Sequence, residues 1–249
     1  MARALAIIPH PDDESYSFGG TLARLAADGW TCGVVAATNG DQGHRHDGGP
    51  TGSEALAAVR RAELAESCRV LGCELLEAWG LPDGALRELS TQAGHVREVL
   101  RRFAPHLVLT LGEDGAYGHP DHIAVHRWVR EGWEAAGRGP ALLFAAFPKG
   151  LFVPQYEKCI SMMGDPPQPP ASAIGDERFD LVADIRGVAA AKLAAIAAHR
   201  SQLPGGDPHA IFPPGIVAAL LEREWFVAAG DRSREQAAAL WPGFEAING

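Results

Sequence analysis

The chain alternates short apolar runs with helical stretches, and this alternation constrains its fold more than any other feature. Four apolar runs indicate buried strands, over residues 3–9, 31–37, 107–111 and 141–146. Four stretches between or after them predict helices, over residues 18–28, 53–71, 90–103 and 121–136. Such alternation requires right-handed crossovers between parallel strands and places helices on both faces of the sheet. The sequence therefore predicts an α/β fold, a Rossmann-like three-layer sandwich with a mostly parallel sheet.

Two polar clusters follow strands of this pattern. Residues 10–14 (HPDDE) follow the first strand, and residues 119–122 (HPDH) come shortly after the strand at 107–111. Alone, each has an ordinary explanation, because carboxylates and proline both suit the first turn of a helix. Together they combine imidazole and carboxylate groups at the carboxyl ends of strands, where α/β folds bind ligands. Such ligands suit an open metal site that holds a reactive water, so the sequence predicts a hydrolytic centre.

The second half of the chain is less regular. It contains a Pro-rich turn at 164–170, a strand at 179–185 and helices at 187–199 and 215–229. A chain of 249 residues can form one large domain or a domain with a small appendage. We predict a single domain over residues 1–249. In it, residues 1–136 form the metal-site core and residues 137–249 form a C-terminal portion that covers the site.

Charge and cysteine content limit the partners and the compartment. The net charge of −9 argues against nucleic acid, which requires clustered Lys and Arg. The four cysteines include no C-x-x-C pair, as expected for reduced thiols. The sequence shows neither a signal-peptide leader nor an apolar stretch long enough to span a membrane. We therefore expect a cytoplasmic protein without a nucleic-acid or membrane partner.

The two clusters resemble the signatures of the LmbE-like, or PIG-L-like, zinc-dependent de-N-acetylases. Further similarities are an R-x-x-E helix, formed by Arg60 with Glu63, and a Pro-Asp-Gly turn at residues 82–84. Residues 116–118, just before HPDH, are like the corresponding segment of mycothiol-pathway members. Residues 184–202 are similar to a late D-I…K…H-x-S-Q stretch. The resemblance is dense over residues 4–130 and sparse beyond. Two residues depart from the pattern: Pro9 stands where many members have Ala, and Asp41 stands near a Glu found in some relatives.

The resemblance implies a ligand set for the metal. His10, Asp13 and His122 would hold one zinc ion per chain, with iron as the alternative in the cell. Pro11 restricts His10 to an extended conformation, after which Asp13 can turn back toward the same ion. A position left for water would complete the site.

The remaining residues of the clusters would carry out the proton chemistry. Asp12 would be the general base, and the metal would lower the pKa of water from about 15.7 to roughly 7. His119, as an imidazolium, would donate a hydrogen bond to the oxyanion of the tetrahedral intermediate. Asp121 would hold His119 in that charged form, although a simple helix-terminus carboxylate explains Asp121 equally well.

Three more residues are candidate substrate contacts by resemblance. They are Arg60, Asp83 and Tyr117, of which Tyr117 is favoured because it lies two residues from His119. A salt bridge on the helix surface and a turn-forming aspartate are the alternatives for Arg60 and Asp83. Whether the Gly-rich loop at 39–52 is a lid stays open.

The predicted activity is removal of acetyl from an N-acetylglucosamine unit of a small-molecule conjugate. The alternatives are a metal-dependent amidase or esterase on a non-sugar substrate, and a non-catalytic metal-containing sugar-binding protein. The partner would be a small N-acetylated sugar. The sequence leaves open whether the chain forms a homo-oligomer.

Overall fold

The computed structural model of the protein describes residues 1–49, 53–163 and 170–247, and the chain divides into two units. The first unit is Met1–Gly84 with Asp184–Arg223, and the second is Ala85–Ala183 with Glu224–Gly249. The predicted Pro-rich turn at 164–170 lies outside the described residues except for Pro170, and the predicted loop at 39–52 is described only to residue 49. The single-domain assignment stays a prediction.

The first unit is built on three parallel strands in the order β3-β2-β1. Numbered along the whole chain, its strands are β1 (Arg3–Ile8), β2 (Thr31–Thr38) and β3 (Cys73–Leu81). Its helices are α1 (Asp13–Ala27), α2 (Ser53–Leu71), α7 (Ala189–Ala198) and α8 (Ile216–Leu220). Residues 4–8 of β1 are fully buried, as expected of a parallel strand covered on both faces. Helices α1 and α2 both pack against α7, so the late Ala-rich helix joins the N-terminal unit.

The second unit contains the other five strands of the described residues, in the order β4-β5-β7-β6-β8. They are β4 (Leu107–Leu111), β5 (Ala141–Ala146), β6 (Leu181–Asp184), β7 (Arg223–Ala228) and β8 (Phe244–Ala246). Its helices are α3 (Ala93–Phe103), α4 (Gly115–Gly118), α5 (Pro120–Ala135), α6 (Val153–Met163) and α9 (Asp231–Leu240). β4 and β5 are parallel, whereas β7 pairs antiparallel with β5, and β8 antiparallel with β6. The predicted α/β class with mostly parallel strands is confirmed.

The predicted helix at 215–229 is wrong. The chain there forms the short helix α8 and then β7, in which Glu224, Phe226 and Ala228 are buried at alternate positions. The Ala-rich start of the segment favours a helix, but pairing with β5 overrides that local preference. The elements α6, α9 and β8 were not predicted from the sequence, and the first helix, predicted from residue 18, begins at Asp13 as α1. None of the helices that the structure describes has the length and apolar character to cross a bilayer.

Candidate active site

The first polar cluster lies in the first unit, in the turn after β1 and the first residues of α1. Asp13 accepts a hydrogen bond from the backbone N–H of His10 at 2.9 Å, and the same Oδ2 lies 3.3 Å from Nδ1 of the His10 ring. On the other side of the ring, Nε2 of His10 lies 3.1 Å from Oδ1 of Asp83. Both His10 and Asp13 are buried, at 8% and 7% exposure. The cluster therefore brings an imidazole and two carboxylates together within one unit.

Asp83 reaches His10 from the Pro-Asp-Gly turn that follows β3. Burial alone would raise the pKa of Asp83, but the hydrogen bond and charge of His10 outweigh it, and the pKa falls to about 2. Its second oxygen accepts the backbone N–H of Gln42 at 2.7 Å. Asp83 is thus an ionised carboxylate that joins His10 to the loop after β2.

That loop is tied to the unit at more than one point. Besides the bond from Gln42 to Asp83, the backbone N–H of His46 donates to the carbonyl of Ser201 at 2.7 Å. Ser201 is itself fixed by Glu63, whose two oxygens accept its N–H and hydroxyl at 2.7 Å each. The R-x-x-E and H-x-S-Q similarities therefore meet in space, a pairing that the sequence analysis did not predict.

Asp12 occupies the N-cap of α1 with a left-handed backbone, φ 114°. The guanidinium of Arg60 donates from Nη2 to Asp12 Oδ2 at 2.9 Å and to the carbonyl of Pro11, and from Nη1 to the carbonyl of Gly40 at 2.7 Å. Burial raises the pKa of Asp12 to about 6, although the Arg60 charge lowers it. Arg60 is only 4% exposed, and it donates these hydrogen bonds to other groups of the first unit. The alternative of a solvent-exposed salt bridge for Arg60 is wrong.

The second polar cluster lies in the second unit and opens α5. His119 is the extended N-cap residue and Pro120 the first helical residue, as the sequence predicts. The rings of His119 and His122 stack with centroids 4.6 Å apart, and Tyr117 makes edge contacts with both, at 5.9 Å and 5.4 Å. His122 and Asp121 are almost fully buried. The predicted residues of this cluster are therefore in mutual contact.

The ring of His119 is oriented by a contact with the backbone. The backbone N–H of Asp121 donates a hydrogen bond to its Nδ1 at 3.2 Å. Oδ1 of Asp121 accepts the backbone N–H of Leu86 at 2.9 Å, so this carboxylate also fastens the segment before α3.

The turn that presents Tyr117 has a strained backbone. Ala116 has φ 66°, a conformation that costs a non-glycine residue on the order of 1–3 kcal/mol. Asp114 stabilises the turn, because its two oxygens accept the N–H groups of Ala116 at 3.0 Å and Gly175 at 2.9 Å. The sequence-based prediction does not include Asp114, although aspartate is a residue that commonly accepts backbone N–H groups in turns.

Comparison with known proteins accords with these features. The family described as PIG-L, GlcNAc-PI de-N-acetylase, matches residues 5–133, which include both polar clusters. The chain belongs to the PIG-L family. A relative from Rhodococcus opacus (strain B4), named 1D-myo-inositol 2-acetamido-2-deoxy-alpha-D-glucopyranoside deacetylase, is 31% identical over 94% of both chains. A relative of the same name from Salinispora arenicola (strain CNS-205) is 30% identical over 81% of this chain and 76% of its own.

Solved structures show the same fold over nearly the whole chain. A conserved protein from Thermus thermophilus matches with a TM-score of 0.63 and 26% identity, covering 92% of this chain and 95% of its own. The N,N'-diacetylchitobiose deacetylase from Pyrococcus horikoshii matches with a TM-score of 0.61 and 25% identity, covering 91% and 83%. The predicted three-layer α/β class and the resemblance to the LmbE-like and PIG-L-like proteins are both confirmed.

Proposed function

We propose that the protein is a metal-dependent hydrolase that removes acetyl from the N-acetylglucosamine unit of a small-molecule conjugate. The observation that carries this proposal is the similarity, over 94% of both chains, to a relative named as a GlcNAc-inositol deacetylase. The polar clusters at residues 10–14 and 119–122 supply the chemistry that such an activity requires. The enzyme would act in the cytoplasm, without a nucleic-acid or membrane partner.

The ligands of the metal would be His10, Asp13 and His122. Two imidazoles and one carboxylate are a donor set that suits a catalytic zinc or iron ion. All three side chains are buried, as expected of ligands that hold an ion away from bulk water. When bound, one such ion per chain would polarise the acetyl carbonyl and lower the pKa of a bound water.

The chain's own groups would handle the proton and the developing charge. Asp12 would accept a proton from the attacking water and pass it to the leaving amine. Arg60 orients that carboxylate through the 2.9 Å hydrogen bond. His119 would donate a hydrogen bond to the oxyanion, and Asp121 would hold the His119 ring in place, since its backbone N–H lies 3.2 Å from Nδ1.

The substrate contacts proposed by resemblance differ in their surroundings. Tyr117 is only half-buried and lies against His119 and His122, which suits contact with a sugar. Asp83 and Arg60 already bind protein groups, so a sugar hydroxyl would have to share their remaining hydrogen-bonding capacity. We therefore rank Tyr117 first among the three.

A substrate panel tests the proposal. Metal-free protein reloaded with zinc or iron is assayed for free amine from N-acetylglucosaminyl-inositol, N,N'-diacetylchitobiose and N-acetylated non-sugar amines, and for hydrolysis of an acetyl ester. We expect amine release from an N-acetylglucosamine conjugate, in the metal-loaded protein only. Preference for a non-sugar amide or ester, sugar binding without turnover, or full activity without metal would each contradict it.

Two variants separate the roles of the first cluster. Asp12→Asn should retain the metal and lose about 10²–10⁴-fold in turnover, the usual contribution of proton transfer. Asp28→Asn, at the other end of α1, is the matched control and should behave as the wild type. His122→Ala should lose the metal, which elemental analysis measures directly. If Asp12→Asn turned over substrate at the wild-type rate, Asp12 would not be the general base.

A further inference from the structure

A buried polar cluster lies behind Asp12 that the proposed chemistry does not use. Glu14, fully buried in the first turn of α1, accepts hydrogen bonds at Oε1 from Ser67 Oγ at 2.5 Å and from His199 Nε2 at 2.7 Å. Its other oxygen, Oε2, accepts the backbone N–H of Asp12 at 3.0 Å. Ser67 and His199 come from α2 and the end of α7 and are also fully buried. Three helices thus converge on one carboxylate.

The contact with Asp12 matters because of that residue's backbone. A left-handed conformation is unfavourable for a non-glycine residue and persists only where the surroundings enforce it. The hydrogen bond to Glu14 Oε2 fixes the amide of Asp12 in this conformation, and Ser15 donates twice to its carbonyl. Since φ and ψ at Asp12 determine where its side chain leaves the chain, these contacts set the direction of the carboxylate.

Glu14 depends in turn on His199. A buried carboxylate is costly unless it is paired and hydrogen-bonded. Burial alone would lower the pKa of His199, but the charge and hydrogen bond of Glu14 outweigh it, and the pKa is raised. The other ring nitrogen of His199 is buried and has no hydrogen-bond partner among the described residues. Glu14 is therefore the hydrogen-bond partner of the His199 ring among the described residues. The charges of Asp12 and Arg60 also act on the pKa of His199.

We propose that Glu14 and His199 are positioning residues, which hold the backbone of Asp12 in the left-handed conformation that aims its carboxylate. The proposal rests on the function proposed above, in which Asp12 is the general base. Neither residue touches the reacting atoms. His199 keeps Glu14 in place, and Glu14 keeps Asp12 in place.

The test compares two substitutions of His199. In His199→Gln the amide nitrogen at position 199 can still donate to Glu14, whereas the apolar side chain of His199→Leu cannot. We expect His199→Leu to lower kcat about 10- to 100-fold with little change in KM or metal content, as expected for a slightly misdirected base. His199→Gln should recover most of the rate. The matched control is His209→Leu, an exposed histidine of the same unit, which should be unchanged.

A second readout does not depend on activity. In metal-free protein, the exchange rate of the Asp12 amide hydrogen reports its bond to Glu14. It should rise in His199→Leu and remain near wild type in His199→Gln and His209→Leu. Should His199→Leu not fold, Glu14→Gln is the second variant, which keeps an acceptor but loses the charge facing His199, and its Asp12 amide should exchange faster than in the wild type.

The outcomes separate this inference from the proposed function. The positioning role would be overturned if the Asp12 amide exchanged at the wild-type rate in a folded His199→Leu or Glu14→Gln protein. It would also be overturned if these variants lost activity only through a change in KM or in metal content. If the wild type releases no amine from any substrate, the proposed function fails, and the amide exchange still decides whether His199 and Glu14 hold Asp12.

Discussion

Replacing Gly20 with alanine should destabilise the protein, although the same change usually stabilises a helix. Gly20 lies in the middle of α1, where a Cβ atom would meet Ile185 Cβ at 2.5 Å and Cγ2 at 2.6 Å. Ile185 is fully buried and leads into the segment that forms α7. The Cβ of Ile185 is fixed to its backbone, so no rotamer change can relieve the overlap. One of the two segments must move.

The magnitude follows from two opposing effects. In a helix interior, alanine stabilises the folded protein by about 1 kcal/mol relative to glycine. Overpacking a core costs about 1–3 kcal/mol, and the upper half of that range applies because backbone has to shift. The net expectation is a loss of about 1–2 kcal/mol in the free energy of unfolding. For a chain of this size, each kcal/mol lowers Tm by about 2–4 °C.

Urea denaturation of the metal-free protein measures this loss, and Gly94→Ala is the matched control. Gly94 also lies in a helix, α3, but a Cβ there would meet no atom within 4 Å, so its substitution should be neutral or stabilising by up to about 1 kcal/mol. Fluorescence and circular dichroism should give coincident transitions, which a two-state analysis requires. A Gly20→Ala protein as stable as Gly94→Ala would refute the packing argument for α1.

Three further predictions follow from the contacts of single side chains. Since the folded-state pKa of His199 is raised, its contribution to stability is complete below its unfolded pKa of about 6.5 and is lost as pH rises through the folded pKa. The unfolding free energy of the wild type minus that of His199→Gln, measured by urea titration, should therefore fall with pH across this range. Arg60→Lys keeps the charge but loses the fork that binds Asp12 and two carbonyls, so stability should drop by about 1–3 kcal/mol in urea, with slower turnover. Asp114→Ala leaves two backbone donors without their acceptor, which should cost about 1–2 kcal/mol and speed amide exchange over residues 115–118.

Local sequence patterns predicted the elements that lie close to the polar clusters. Apolar runs located β1 and β4, and both clusters follow these strands as expected for ligands in α/β folds. The position of Pro120 after His119 predicted the start of α5, because proline suits the first helical residue. These features depend on neighbours a few residues away, which is the range over which a sequence pattern carries information.

Contacts between distant segments escaped the sequence analysis. Glu14 and His199 are 185 residues apart, and Glu63 and Ser201 are 138 apart. Nothing in the local sequence pairs these residues, and an Ala-rich helix that ends in histidine is explained equally well by a C-terminal cation. The same holds for β7, whose strand conformation is set by pairing with β5. Long-range packing therefore determined what local preference could not.

The order of residues in the HPDDE cluster explains why such distant support is needed. The backbone N–H of His10 is held by Asp13, a bond made entirely within the turn. The N–H of Asp12 is likewise held by the side chain two residues later, but Glu14 is fully buried and requires a cationic partner. No residue of the turn can provide that partner, because Asp12 and Asp13 are acidic, Pro11 carries no donor, and His10 already faces Asp13 and Asp83. A histidine delivered by α7 meets the requirement, so the direction of the proposed base depends on a helix that the N-terminal sequence gives no means of anticipating.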